Sequence, residues 1–184
     1  RSNARLDAES ALDDFRMRLV GPVASGGERP ATFSVKVIKN RPVAEVKTNV
    51  AGDKNYGSIR CEFEPLGFET FLLYLEEAVT AAPGWKRQIR CLNFPFQNGG
   101  RSKELKLDTT CIVGKDQDGT VYIGVTSWDQ SRPVIKFPVR PSQYHQYVQE
   151  NGERLSEAAA SVLYASAYAN ILRSIVYSVL IQEY

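Results

Sequence analysis

The sequence is poor in the side chains that build reactive centres. It holds three cysteines, one histidine and one methionine. Cys61, Cys91 and Cys111 stand far apart in apolar or β-branched runs, which excludes a CxxC pair, a zinc box and an even-numbered disulfide set. They read as three small core residues. His145 lies in a polar stretch with no evident partner and reads as a solvated helix histidine. No nucleophile motif, P-loop or dinucleotide fingerprint is present, so no catalytic residues, metal or cofactor are expected and the chain reads as a non-enzyme. A nuclease using Glu62, Glu64 and Asp108 with magnesium is the natural enzymatic alternative, but nothing spaces those acids for it. "DQDG" lacks the alternating acids and closing glutamate of a calcium loop, and a β-turn explains it. A charged N-terminus without an apolar run gives no signal peptide, and the expected location is inside a cell, in a viral host cytoplasm or an organelle. The single methionine, Met17, leaves open whether residues 1–16 are native.

Strong charge is also missing. The formal net charge is +2, so affinity for an anionic polymer has to come from local clustering of Lys and Arg. The chain is long enough for one large domain or two small halves sharing a core.

What is present is alternation. After an acidic lead, "MRLVGPV" reads as a first strand, "TFSVKVIK" alternates with period two, and "VAEVKTN" answers it across "NRP". "SIRCEF" sets Ile59, Cys61 and Phe63 on one face, with Ser58, Arg60 and Glu62 on the other. Pro65 stops that strand and suits a helix start, and Phe68, Phe71, Leu72 and Leu75 follow at helical spacing. The order then recurs: "WKRQIRCLNF", a glycine-rich basic loop "PFQNGGRS", a hairpin "ELKLDTTCIVG" to "TVYIGVTSW", a strand "RPVIKF", and a second helix expected from "PSQYHQYV". At one constant offset Ile59, Cys61 and Phe63 fall on Ile135, Phe137 and Val139. Pro65, Phe68 and Phe71 fall on Pro141, Tyr144 and Tyr147.

A repeated unit of four strands and a helix, ending in strand, proline, then aromatic-x-x-aromatic, resembles the transcriptional positive cofactor four unit. Two such units in one chain resemble the Whirly proteins, the kinetoplastid mitochondrial RNA-binding proteins and phage single-stranded DNA-binding proteins. The Lys-Gly-Lys-Ala-Ala-Leu stretch of plant Whirly proteins is absent, and "GGRSKELKL" is the nearest basic segment, which points to a viral or organellar branch. The fold class expected is α+β, with repeats over 17–84 and 85–152 forming one domain at 17–152 after a lead at 1–16, and an apolar helix at 153–184. The resemblance implies an oligomer that binds single-stranded DNA or RNA along sheet surfaces with little sequence preference, in replication, transcription or recombination.

The outward positions agree with that implication. Lys36, Lys47, Arg60, Arg90, Lys106 and Lys136 are expected phosphate contacts, with Lys86, Arg87, Arg101 and Lys103 beside them. Trp85, Phe94, Tyr122 and Trp128 are expected stacking rings. Cations track phosphates and rings accept unstacked bases, at about 1–3 kcal/mol per base. The plainer alternative is a solvated sheet face, on which such residues are ordinary. Glu45, Glu62 and Asp108 interrupt the basic face, which suits a track. The loop "FQNGGRSK" fits either a flap over a ligand or a hairpin tip.

From Glu153 to Tyr184 the chain reads as one helix of about 30 residues, apolar nearly all round, with Arg173 its only charge between Glu157 and Glu183. Its alanines suit helix packing, so a homo-oligomer core is expected. Asn170, Arg173 and the serines weigh against a membrane span. The rival function is an accessory factor that docks an RNA or DNA polymerase through this tail, without touching nucleic acid.

Overall fold

The computed structural model describes residues 11–181. It is an α+β fold of antiparallel sheets. Strands β1 (Leu19–Val23), β2 (Pro30–Ile38), β3 (Arg41–Lys47) and β4 (Ser58–Glu62) form a four-stranded meander in that order. Next come helix α1 (Pro65–Thr80), strand β5 (Lys86–Asn93), a small hairpin of β6 (Phe96–Gln97) and β7 (Gly100–Arg101), and strands β8 (Lys106–Lys115), β9 (Val121–Ser127) and β10 (Ile135–Pro138). The second sheet has the order β10-β9-β8-β5, which leaves β5 at an edge. Helix α2 (Glu157–Ile181) closes the described chain.

Local chemistry accounts for the turns. Ile38 pairs with Arg41 across Lys39 and Asn40, both at positive φ, the geometry of a two-residue hairpin turn that matches strand twist. Asn98 and Gly99 do the same between Gln97 and Gly100, so the glycine-rich loop is a hairpin tip.

Helix α1 starts with Pro65 in its first turn and buries Phe68, Phe71, Leu72, Leu75 and Ala78, an i, i+3, i+4 stripe. Its C-terminus is held from outside. The buried Lys115 ammonium of β8 donates to the carbonyls of Ala78, Val79 and Ala81 at 2.9–3.3 Å, which places a cation on the negative end of the helix dipole.

Both sheets turn their apolar faces to one core. Phe33 of β2 lies 5.9 Å from Phe137 of β10 and 6.5 Å from Phe71, and Phe63 stacks on Phe71 at 5.9 Å. Each fully buried side chain of this kind contributes about 1.5–3 kcal/mol. Strand β1 crosses close over β10, where a Cβ on Gly21 would stand 2.8 Å from the Phe137 ring. Helix α2 buries Ala165, Tyr168, Ala169, Leu172 and Val176 in the same core. Arg173 clasps it to α1 through Glu69 (3.0 Å) and Glu76 (2.8 Å), and Ser161 ties it to β9 and the residue after β10 through Val121 N–H and the Val139 carbonyl.

Four expectations need correction. Residues 141–156 are not helical: Tyr144 and Val148 are exposed, so no apolar stripe stabilises a helix there, and His145 lies in this irregular stretch. Tyr144 is therefore no counterpart of the fully buried Phe68. The last helix begins at Glu157 and covers 25 described residues; its start is shorter than the expected 153, and residues 182–184 lie outside the described residues. The cysteines, distant in sequence, meet where β4 approaches β5 and β8. The Cys111 thiol and burial push the Cys61 thiol well above its ordinary pKa against an opposing effect of Cys91, and Cys61 with burial pushes the Cys91 thiol up in turn. Cys61 and Cys111 are core residues, while Cys91 is only partly buried. Among the described residues no helix is long and apolar enough to cross a membrane.

Candidate nucleic-acid interface

The cations expected to meet phosphates divide into two populations. On the outer face of the first sheet, cross-strand register sets Ser34, Glu45 and Arg60 in one row. Glu45 is 1% exposed and binds the cations around it. Its Oε2 accepts from Arg60 Nε (2.6 Å) and Ser58 Oγ (3.0 Å), and its Oε1 lies 3.0 Å from the Lys36 ammonium. Burial alone pushes this carboxyl up, but the hydrogen bonds and charges of Lys36, Arg60 and Ser58 outweigh it and hold the pKa at about 2. Lys36 and the Nε side of Arg60 are thus engaged inside the protein.

Several second-sheet candidates are engaged as well. Lys136 pairs with Asp116 (3.2 Å) and lies 4.4 Å over the Tyr122 ring. Tyr122 is 8% exposed, because its ring lies flat over Gly114, where a Cβ would come within 2.3 Å of it. Tyr122 is therefore a packing residue, and its expected role as an open stacking ring is corrected. Arg87 pairs with Glu77 (3.3 Å) and covers Trp85, which is half-buried against the core.

The remaining candidates gather at the open edge of the second sheet. Lys86 and Arg90 share the outward face of β5, and Arg101, Lys103 and Lys106 follow on the hairpin and β8. All five are exposed, and none has a carboxylate partner among the described residues. Two rings stand with them: Phe94, and Phe96 at 78% exposure with Arg101 stacked 5.5 Å over it. Leu92, Leu105 and Leu107 are exposed around these rings. Phe96 was missed, although its neighbours in "PFQNGGRS" were not.

A second feature is a groove of about 640 Å³ where β4 meets β8 and β9. The side of the first sheet supplies Lys47, Arg60 and Glu62, with Lys54 and Tyr56 from the turn before β4; the side of the second supplies Asp108, Thr109 and, just after β9, Trp128. Trp128 is 63% exposed there, as expected of a stacking ring. Lys47 has no ion pair among the described residues, whereas Lys54 pairs with Asp129. Burial, then the nearby Glu62 charge, pushes the Asp108 carboxyl above its ordinary range. Tyr56 was missed; a ring inside the turn-rich "VAGDKNYG" was the available signal. Among the described residues no three His, Cys, Asp or Glu side chains converge as metal ligands do.

Comparison with protein-family models, with curated proteins and with solved structures gives no match to this chain.

Proposed function

We propose that this protein binds single-stranded DNA or RNA along its sheet surfaces, with little sequence preference, in support of replication, transcription or recombination. The observation that carries this function is the segregation of charge. Five cations free of carboxylate partners among the described residues stand with Phe94 and Phe96 at one open sheet edge, while Lys36, Arg60, Arg87 and Lys136 of the other sheet positions are matched to acids. Unspent cations next to exposed rings suit phosphates and unstacked bases together, and a duplex offers no bases to the rings. They also guard β5 against pairing with a second copy of itself, since like charges would meet across the new ladder.

The finer architecture belongs to the same proposal: two duplicated units of Whirly-like type. Its support is that each sheet holds four antiparallel strands in chain order, interrupted in the second by the β6–β7 hairpin, and that Pro65 follows β4 as its counterpart Pro141 follows β10. A homo-oligomer is proposed as well, supported by Leu163 and Ile171 of α2, which stay exposed opposite its buried stripe.

Anisotropy titration of a labelled single strand, its duplex and its RNA equivalent, at two salt concentrations, tests this function. Tight, salt-sensitive binding of single strands over duplex is the expected result; no binding at low salt rejects it. The second function, a protein-docking accessory factor, is favoured by the exposed Leu92, Phe94, Phe96, Leu105 and Leu107, and its interface would be insensitive to salt.

A further inference from the structure

The groove between the sheets carries a strained element that packing does not explain. Asn55, Tyr56 and Gly57 have φ of 51°, 54° and 77°, three successive residues in the left-handed region. Glycine adopts it freely, but a tyrosine there is uncommon and strained. The surroundings hold the turn in place. Arg132, buried and reaching across from the second half of the chain, donates to the Asp53 carboxylate at 2.9 and 3.2 Å and to the carbonyls of Lys54 and Ser58 at 3.0 Å. Thr48 adds a hydroxyl bond to Asp53 and a backbone bond to Gly57, each 2.8 Å. All this fixes a turn whose tyrosine is 100% exposed, so the ring contributes nothing to the core.

That ring lines the groove from the side of the first sheet, and Trp128 lines it from the side of the second. Lys47 and Arg60 line it too, and the terminal nitrogens of Arg60 have no partner among the described residues, because Glu45 engages only Nε. Asp108 and Glu62, the latter also 3.7 Å from Arg41, add two carboxyl groups, while the lining pair Lys54 and Asp129 is already matched. Two aromatic planes, two cations and a pair of acceptors match one nucleotide: a flat base, its flanking phosphates and an exocyclic amino group.

We propose that this groove takes one unstacked base of the bound strand between Tyr56 and Trp128, with its phosphates on Lys47 and Arg60. In it the Asp108 and Glu62 carboxyl oxygens accept from the exocyclic amino group and favour cytosine over thymine. The inference rests on the single-strand function proposed above and goes beyond it by naming a base-class preference. An amino donor arriving between the two carboxyl groups relieves the repulsion that they exert on each other. Thymine presents a carbonyl oxygen at the corresponding edge and would face them with like polarity.

The test uses the full chain with W85F, which leaves Trp128 as the sole tryptophan, titrated with oligo-dC and oligo-dT of about twelve nucleotides. Oligo-dC is expected to quench Trp128 emission and to bind at least about threefold more tightly than oligo-dT. Y56N, which tolerates the left-handed turn, is expected to weaken oligo-dC binding by about 5- to 150-fold, while Y56F keeps it. Equal affinity for the two oligonucleotides overturns the amino-group selection. Oligo-dC binding with unchanged Trp128 emission and no loss in Y56N overturns the base site and leaves the single-strand function standing. If neither oligonucleotide binds at low salt, the single-strand function itself falls.

Discussion

The two sheets use their cations differently. In the first sheet Glu45 binds Lys36 and the Nε of Arg60 across three strands, and Arg132 is taken up in joining that half to the second. At the β5 edge of the second sheet, Lys86, Arg90, Arg101, Lys103 and Lys106 have no carboxylate partner among the described residues. A cation paired within the fold has already given its charge to stability, while an unpaired one remains available to a phosphate. Count and exposure of Lys and Arg would not separate these populations; their partners do.

The contrast can be broken most severely at Arg132. R132M leaves Asp53 buried without its partner and removes two carbonyl contacts, so a loss of about 3–5 kcal/mol is expected in urea unfolding. A loss below about 1 kcal/mol would show that Arg132 is not a structural cation. E45Q comes next, at about 1–3 kcal/mol, because two half-exposed cations lose their counter-ion. The pH dependence follows from its depressed pKa. Glu45 stabilises the fold fully above its unfolded value near 4.5, and that contribution is lost as pH falls toward about 2. The urea midpoint of the parent should thus fall over that window by more than that of E45Q, and parallel curves would contradict the assignment.

These partnerships were the part of the molecule least legible in the sequence. Period-two alternation placed β2, β3 and β4, and Pro65 with the Phe68–Phe71–Leu72–Leu75 spacing placed α1, because those signals are local. "PSQYHQYV" copied the proline and the aromatic spacing without the apolar residues that bury a helix, so the same signal misled at 141–148. Tyr122 looked open because Gly114, the residue it covers, belongs to the neighbouring strand, and Lys136, which covers it in turn, to the next. The Glu45 row likewise depends on register. Position on a face can be read from one strand, whereas pairing needs two.

Smaller effects sharpen the contrast from the other side. The quadruple variant R90A/R101A/K103A/K106A removes surface charges without carboxylate partners among the described residues, so its stability should stay within about 0.5 kcal/mol per site of the parent. Its single-strand binding should lose about 2.8 from the salt slope, at about 0.7 per phosphate contact. Unchanged binding in this variant would move the interface elsewhere. K136A should matter least, with affinity within about twofold of the parent, because Asp116 already neutralises that charge.

The most direct measurement is the salt dependence of single-strand binding by the parent protein. The five edge cations, each releasing about 0.7 counterion, predict a slope at least as steep as about −3.5 in log K against log salt concentration. A slope near zero, or no binding at low salt, would contradict the claim that the unpaired cations at the β5 edge hold nucleic acid.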